Sequence, residues 1–249
     1  MSNDASTDFT LRLRDECLDT WEQATGHRFV DELFAGTLDD AVLLRFLIQD
    51  YQFFDPFLAL LGQAVAAAPT TPARLRLSRQ LGMLATDENS WFESTFNAFD
   101  VDLEERLHPP LTRATVDLLQ LMYEAIESRS WPRVLAVLLP LEWVYLDWAD
   151  DPRRPLLTRR PEHLTWIDLH RGEAFQAWVT YLRQQLDAAE PGDPAEHAAC
   201  QDLFTRTVAA EVEFFDAAYA VGGIPDELHP VSDSSTDDLS EEFNRAMHA

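Results

Sequence analysis

Apolar residues recur along most of this chain at three- and four-residue intervals, and few segments alternate with period two. The pattern therefore predicts helices and no sheet. The runs place helices at about 9–25, 39–67, 72–100, 111–128, 131–149, 161–190 and 195–221. Pro109-Pro110, Asp150-Asp151-Pro152 and Pro191-Gly192-Asp193-Pro194 are firm breaks between them. Pro132 falls near a helix start, where its missing N–H costs least. Pro56 is expected to kink the second run or end its first half. After Gly222-Gly223 the chain thins to the acidic stretch 232–238, read as a linker to a short helix around 239–247. These features predict a polar segment 1–8, one all-α domain over 9–222, and an acidic tail 223–249.

Three carboxylates interrupt the apolar stripes. On a helix, Leu43, Leu47, Asp50, Phe54 and Phe57 share one face, where a carboxylate is costly. Phe204, Val208, Glu211 and Phe215 form a second stripe with spacing i, i+4, i+7, i+11. Glu142 lies in the segment 134–146, which is apolar on nearly every side and belongs in the middle of a bundle. Pro140, just before it, predicts a bend. A buried carboxylate needs a hydrogen-bonding partner or a chemical role. Glu142 has two open readings: an interior acceptor for Trp or Tyr donors, or a pocket carboxylate whose burial raises its pKa toward a useful value.

Composition narrows the setting. The 249 residues include 44 acidic and 19 basic side chains, a formal charge of -25, and every basic one is arginine. Such a surface suits a cytosol of very high salt, such as that of a haloarchaeon, where repulsion is screened within a few ångströms. Nucleic acid is not an expected partner, since phosphate binding needs a basic patch and Arg153, Arg154, Arg159 and Arg160 form only a short loop. Cys17 and Cys200 are the sole cysteines, too few for a disulfide scaffold or a four-cysteine zinc site. The start of the chain lacks the basic-then-apolar order of a signal peptide, and charge interrupts every apolar run before twenty residues. A soluble cytoplasmic protein is expected, with no membrane partner.

Phosphate-cradling loops, dinucleotide-binding turns, His-Glu-x-x-His and nucleophile elbows do not occur. Carboxylates facing one another from distant helices fit acid/base work on a small polar substrate, or a di-metal centre. The metal reading lacks ligands: His170 and Glu173 are in the reverse order of Glu-x-x-His, with no second pair. Neither a metal nor a cofactor is expected. Aromatic rings are abundant, and a flat heteroaromatic ligand could lie between two of them with carboxylates at its amino groups.

Several stretches, in their order and spacing, resemble the TenA/THI-4 family of thiamin-salvage proteins. They are His27-Arg28-Phe29-Val30 followed by Gly36-Thr37-Leu38, then 46–54 with Gln49-Asp50-Tyr51. Leu138-Leu139-Pro140 with Tyr145, and Glu211-Val212-Glu213-Phe214-Phe215 with Tyr219, complete the set. The resemblance covers about residues 9–220 and implies a haem-oxygenase-like helical bundle that needs no haem. It also implies an aspartate at Asp50 against the substrate pyrimidine, an acid/base at Glu211 and an assisting tyrosine at Tyr145. The thiaminase II-like branch carries its cysteine nucleophile directly after the proline, and here that residue is Leu141. Phe53, Leu118 and His170 stand where that branch usually has tyrosines. The chain is similar to the cysteine-lacking branch, which salvages aminomethylpyrimidine or its formylated precursor, and Glu142 is the expected compensating carboxylate. The expected catalytic set is Glu211, Glu142, Asp50 and Tyr145, with Tyr51, Phe53, Leu141, His170 and Phe215 binding substrate. A ligand-binding or regulatory module that kept the pocket, and a non-haem metal oxidase on the same fold, are the alternatives. The family's habit implies a homotetramer or dimer.

Overall fold

The computed structural model describes residues 8–84 and 89–220. Among these residues the chain forms thirteen α-helices and no strand. Helix α10 (Trp131–Ala149) is the axis of the bundle. Its residues 134–139 are completely enclosed, so neighbours must surround it. It packs against α13 (Pro194–Ala217), α12 (Gly172–Ala188), α9 (Arg113–Ser128), α5 (Phe54–Ala67) and α2 (Leu18–Thr25). Ser130 caps its start, and Pro132 occupies the first turn. Pro140 removes one ladder donor, yet the helix continues through it uninterrupted, held from every side.

The other helices wrap this axis: α1 (Phe9–Glu16), α3 (Arg28–Ala35), α4 (Asp40–Asp50), α6 (Thr71–Met83), α7 (Asn89–Ala98), α8 (Leu103–Leu107) and α11 (Pro161–Leu169). No helix among the described residues is long and apolar enough to cross a membrane.

The breaks differ from expectation in instructive places. The run 9–25 divides at Cys17, and the run 161–190 divides at His170 and Arg171, where Gly172 has a φ of 85°. Helix α3 was not legible from periodicity, because it is only two turns long. The His27 Nδ1 accepts from the Phe29 N–H at 3.1 Å to start it, and Gly36 ends it in the left-handed region with φ 74°. The run 39–67 breaks at a 3₁₀ turn, Tyr51–Phe53, ahead of Pro56. Pro56 sits in the first turn of α5, where its missing N–H costs little. The expected tail helix 239–247 lies outside the described residues.

The buried Gln49 amide fixes the end of α4. It donates to the Pro110 carbonyl at 3.0 Å and accepts from the Thr112 N–H at 2.9 Å and the Thr115 hydroxyl at 2.6 Å. Three bonds therefore tie α4 to the start of α9, one residue before Asp50.

Candidate active site

Asp50, Glu142, Tyr145 and Glu211 line one cavity of about 580 Å³. Glu142 and Tyr145 are three residues apart on α10 and so project from one side of it. Glu211 comes from α13 and Asp50 from the last residue of α4. Phe53, Leu141 and His170, all expected at the substrate, also line this space.

Glu211 is the most unusual group. It is 3% exposed, and burial raises its pKa from 4.5 to about 8, against the opposing pull of a hydrogen bond from the Tyr145 hydroxyl. Its Oε2 has no hydrogen-bond partner among the described residues. At neutral pH the group is therefore a carboxylic acid facing a cavity, able to give up a proton.

Glu142 is held differently. The Trp178 indole N–H donates to its Oε1 at 2.8 Å, between two buried side chains. Glu142 thus accepts from a Trp donor and also lines the cavity. The uninterrupted course of α10 through Pro140 puts Leu141 and Glu142 on adjoining faces, and the cavity is wide enough to touch both.

His170 ends α11. Its Nδ1 lies 2.8 Å from the Trp166 carbonyl oxygen, which can only accept, so Nδ1 carries the proton. Rings of Tyr145, Trp148, Trp166 and Phe175 enclose it, and desolvation lowers its pKa to about 4. His170 lines the cavity, and with Nδ1–H engaged its Nε2 is the ring nitrogen left to accept a hydrogen bond. A tyrosine there could donate; this histidine, neutral and with Nδ1–H engaged, can only accept at the cavity.

Two expected substrate residues stand elsewhere. Tyr51 is not in the cavity wall; it packs against Phe92 and Phe96 at ring distances of 5.3 and 5.5 Å. Phe215 is fully buried, its ring 6.1 Å from that of Tyr145, and its neighbour Phe214 lines the cavity instead. For Tyr51 the reason is the 3₁₀ turn that begins there, which breaks the α-helical register after Asp50. Phe215 lies on the unbroken α13, where it packs on Phe29 and Phe46 in the core. Reasoning from sequence missed Trp178, the donor to Glu142. A buried indole N–H needs an acceptor, but seven tryptophans compete for that role and spacing does not choose among them.

Neither cysteine lines the cavity. Cys17 and Cys200 are buried free thiols, and burial pushes their pKa values up to about 11 and about 12. Leu141 has no nucleophilic atom, so among the described residues no thiolate is available at this site. Among the described residues, no three His, Cys, Asp or Glu side chains converge in an arrangement that could hold a metal ion.

The model of the TENA/THI-4/PQQC family matches residues 14–220. The chain belongs to this family. An aminopyrimidine aminohydrolase of Halalkalibacterium halodurans is 23% identical over 215 residues, 85% of this chain and 95% of that protein. A protein of the same name from Bacillus subtilis is 22% identical over 224 residues, covering 88% and 92%. Among solved structures, the TenA homologue of Pyrococcus furiosus superposes with a TM-score of 0.76 at 19% identity, over 85% of this chain and all of that one. The fold of this TenA-family chain is thus the all-α haem-oxygenase-like bundle, with the cavity between its helices.

Proposed function

We propose that the chain is a thiamin-pyrimidine salvage hydrolase that acts on aminomethyl- or formylaminomethyl-pyrimidine without a cysteine nucleophile. The observation that carries this reading is Glu211, a carboxyl of pKa about 8 opening on a cavity shared with Glu142 and Asp50. Family membership and relatives named aminopyrimidine aminohydrolase support the substrate class.

In this mechanism the pyrimidine lies against Phe53, with Asp50 accepting from its ring amino group and His170 Nε2 accepting from a second N–H. Glu211 gives its proton to the leaving nitrogen as the methylene C–N bond breaks. Glu142, oriented by Trp178, takes a proton from water as the water oxygen bonds to the same carbon. Water replaces the nitrogen group: the products are the hydroxymethylpyrimidine and ammonia, or formamide from the formylated substrate, and the proton gained by Glu142 balances the one lost by Glu211. Tyr145 keeps Glu211 aimed at the reacting atoms.

The test is turnover of 4-amino-5-aminomethyl-2-methylpyrimidine, followed as hydroxymethyl product, with thiamin as a parallel substrate. Glu211→Gln is expected to lose about 10²–10⁴-fold in kcat/KM, the usual contribution of a positioned acid. Binding without any turnover by the wild type would favour a pyrimidine-binding module instead.

The same reading places the protein in a cytosol of high ionic strength, as a homo-oligomer (tetramer or dimer), with no nucleic-acid partner and no cofactor. The charge of -25 supports the salt and nucleic-acid parts of that statement. It treats 9–222 as one domain and 223–249 as an acidic appendage. Light scattering over a range of KCl concentrations tests the oligomer and its salt requirement together.

A further inference from the structure

The cavity offers more room than the proposed reaction uses. At about 580 Å³ it is the size that takes a drug-sized molecule, and a one-ring pyrimidine fills a small part of it. The two parts of its wall also differ in charge. The carboxyls of Asp50, Glu142 and Glu211 come from α4, α10 and α13, whereas α6 contributes Arg76 and Arg79 and the α11–α12 junction contributes Arg171. In a chain with 44 acidic and 19 basic residues, three arginines on one cavity call for an account.

Their partners separate them. Arg171 is spent: its Nε donates to Asp168 at 2.7 Å. Arg76 has no ion pair among the described residues. Its guanidinium lies over the Trp178 ring, 5.1 Å from the centroid, and near Tyr181 at 5.6 Å, with only a long 3.5 Å contact to the Gln80 side chain. Arg79, three residues further along α6 and hence on the same side, also has no ion pair among the described residues. Trp178 joins the two regions. Its N–H holds Glu142, and its ring carries Arg76, so an unspent guanidinium sits one indole away from the carboxylate proposed to activate water.

We propose that Arg76 and Arg79 form an oxyanion subsite, so that the cavity takes an aminopyrimidine whose leaving group carries a phosphate monoester. The inference rests on the pyrimidine reading above and extends it to the far side of the scissile bond. Two guanidinium forks suit the several oxygens of a phosphate, and among the described residues neither has a carboxylate to be displaced from. Stacking on Trp178 holds Arg76 in place before the ligand arrives, which lowers the cost of ordering it. A chain of this net charge repels anions at long range, so the gain must come from direct contact at close quarters, where salt screens least. In the reaction the phosphate stays on the departing group. The C–O bond forms with water, whose proton goes to Glu142. A leaving amine takes the Glu211 proton as the C–N bond breaks, whereas a quaternary thiazolium nitrogen departs with the bond's electron pair as the neutral thiazole and takes none. Nothing changes at phosphorus.

Thiamin and thiamin monophosphate differ only by this phosphate and are the probes, titrated calorimetrically at one KCl concentration beside 4-amino-5-aminomethyl-2-methylpyrimidine. The wild type is expected to bind the monophosphate about tenfold more tightly than thiamin, the effect of one or two charge-assisted hydrogen bonds. In Arg76→Gln/Arg79→Gln the ratio of the two dissociation constants is expected to fall to about one. Arg79→Gln alone, at an exposed position that leaves the Trp178 packing intact, is expected to lose part of it. A ratio at or below one in the wild type overturns the proposal, as does a ratio that survives the double substitution. Binding of the aminomethylpyrimidine but of neither thiamin compound overturns it too, since the cavity then rejects an extended leaving group while the pyrimidine reading stands. If none of the three binds, the pyrimidine reading itself fails.

Discussion

Replacing Glu211 by Gln keeps the shape of the side chain and removes its titration, so it isolates the energy that burial has stored in this carboxyl. The group ionises near 4.5 in an unfolded chain and at about 8 in the fold. Between those values the native state holds a proton that the unfolded state has released. Stability therefore falls as pH rises through that window. Each tenfold change in proton affinity is about 1.36 kcal/mol, so the whole interval is worth on the order of 5 kcal/mol. This is a ceiling, because water in the cavity solvates the ionised carboxylate in part. The Gln variant has no such slope. Its stability relative to wild type is expected to climb by about 1 kcal/mol per pH unit from about pH 5, and to level off above about pH 8. Urea unfolding of both proteins at matched KCl and at several pH values reads this directly, since the titrations of all other acidic residues cancel in the difference. A stability difference that stays flat across the window would refute the buried, protonated carboxyl and with it the acid role.

Trp178→Phe keeps the ring packing and removes the N–H that Glu142 accepts. It is expected to cost about 1–3 kcal/mol in denaturant unfolding, because a buried carboxylate loses a charge-assisted bond, and to lower kcat more than it raises KM. The native protein is expected to resist thiol reagents at pH 8 without losing activity, since both thiols are buried and ionise only at about 11 and about 12; rapid labelling of the folded chain would contradict this. Gly36→Ala places a Cβ 3.1 Å from Thr158 at a position with φ 74°, and a loss of about 1–2 kcal/mol in thermal or urea unfolding is expected.

The sequence was most readable where a helix is long and its neighbours are few in kind. The run 131–149 coincides with α10, because Ser130 and Pro132 mark its start and nearly every position inside is apolar. It was least readable at short elements and at breaks. Helix α3 depends on a histidine cap and a left-handed glycine, which leave no periodic trace. The 51–53 turn depends on Gln49 anchoring α4 to the start of α9, a contact across 61 to 66 positions that no local pattern carries. The same limit governs the site. Asp50, Glu142 and Glu211 stood out because a carboxylate in an apolar stripe is costly, and all three reach one cavity. Trp178, Arg76 and Arg79 did not stand out. Tryptophan is an ordinary core residue and arginine an ordinary surface one, and only the packing of α12 on α10 and of α6 on α5 gives them a common wall.

The most direct measurement is the pH profile of kcat/KM for 4-amino-5-aminomethyl-2-methylpyrimidine, taken as the ratio of wild type to Glu211→Gln so that titration of the substrate cancels. If Glu211 is the proton donor, the ratio is about 10²–10⁴ below pH 8 and falls roughly tenfold for each pH unit above it. A ratio near one, or one that runs level through pH 8, would contradict the account.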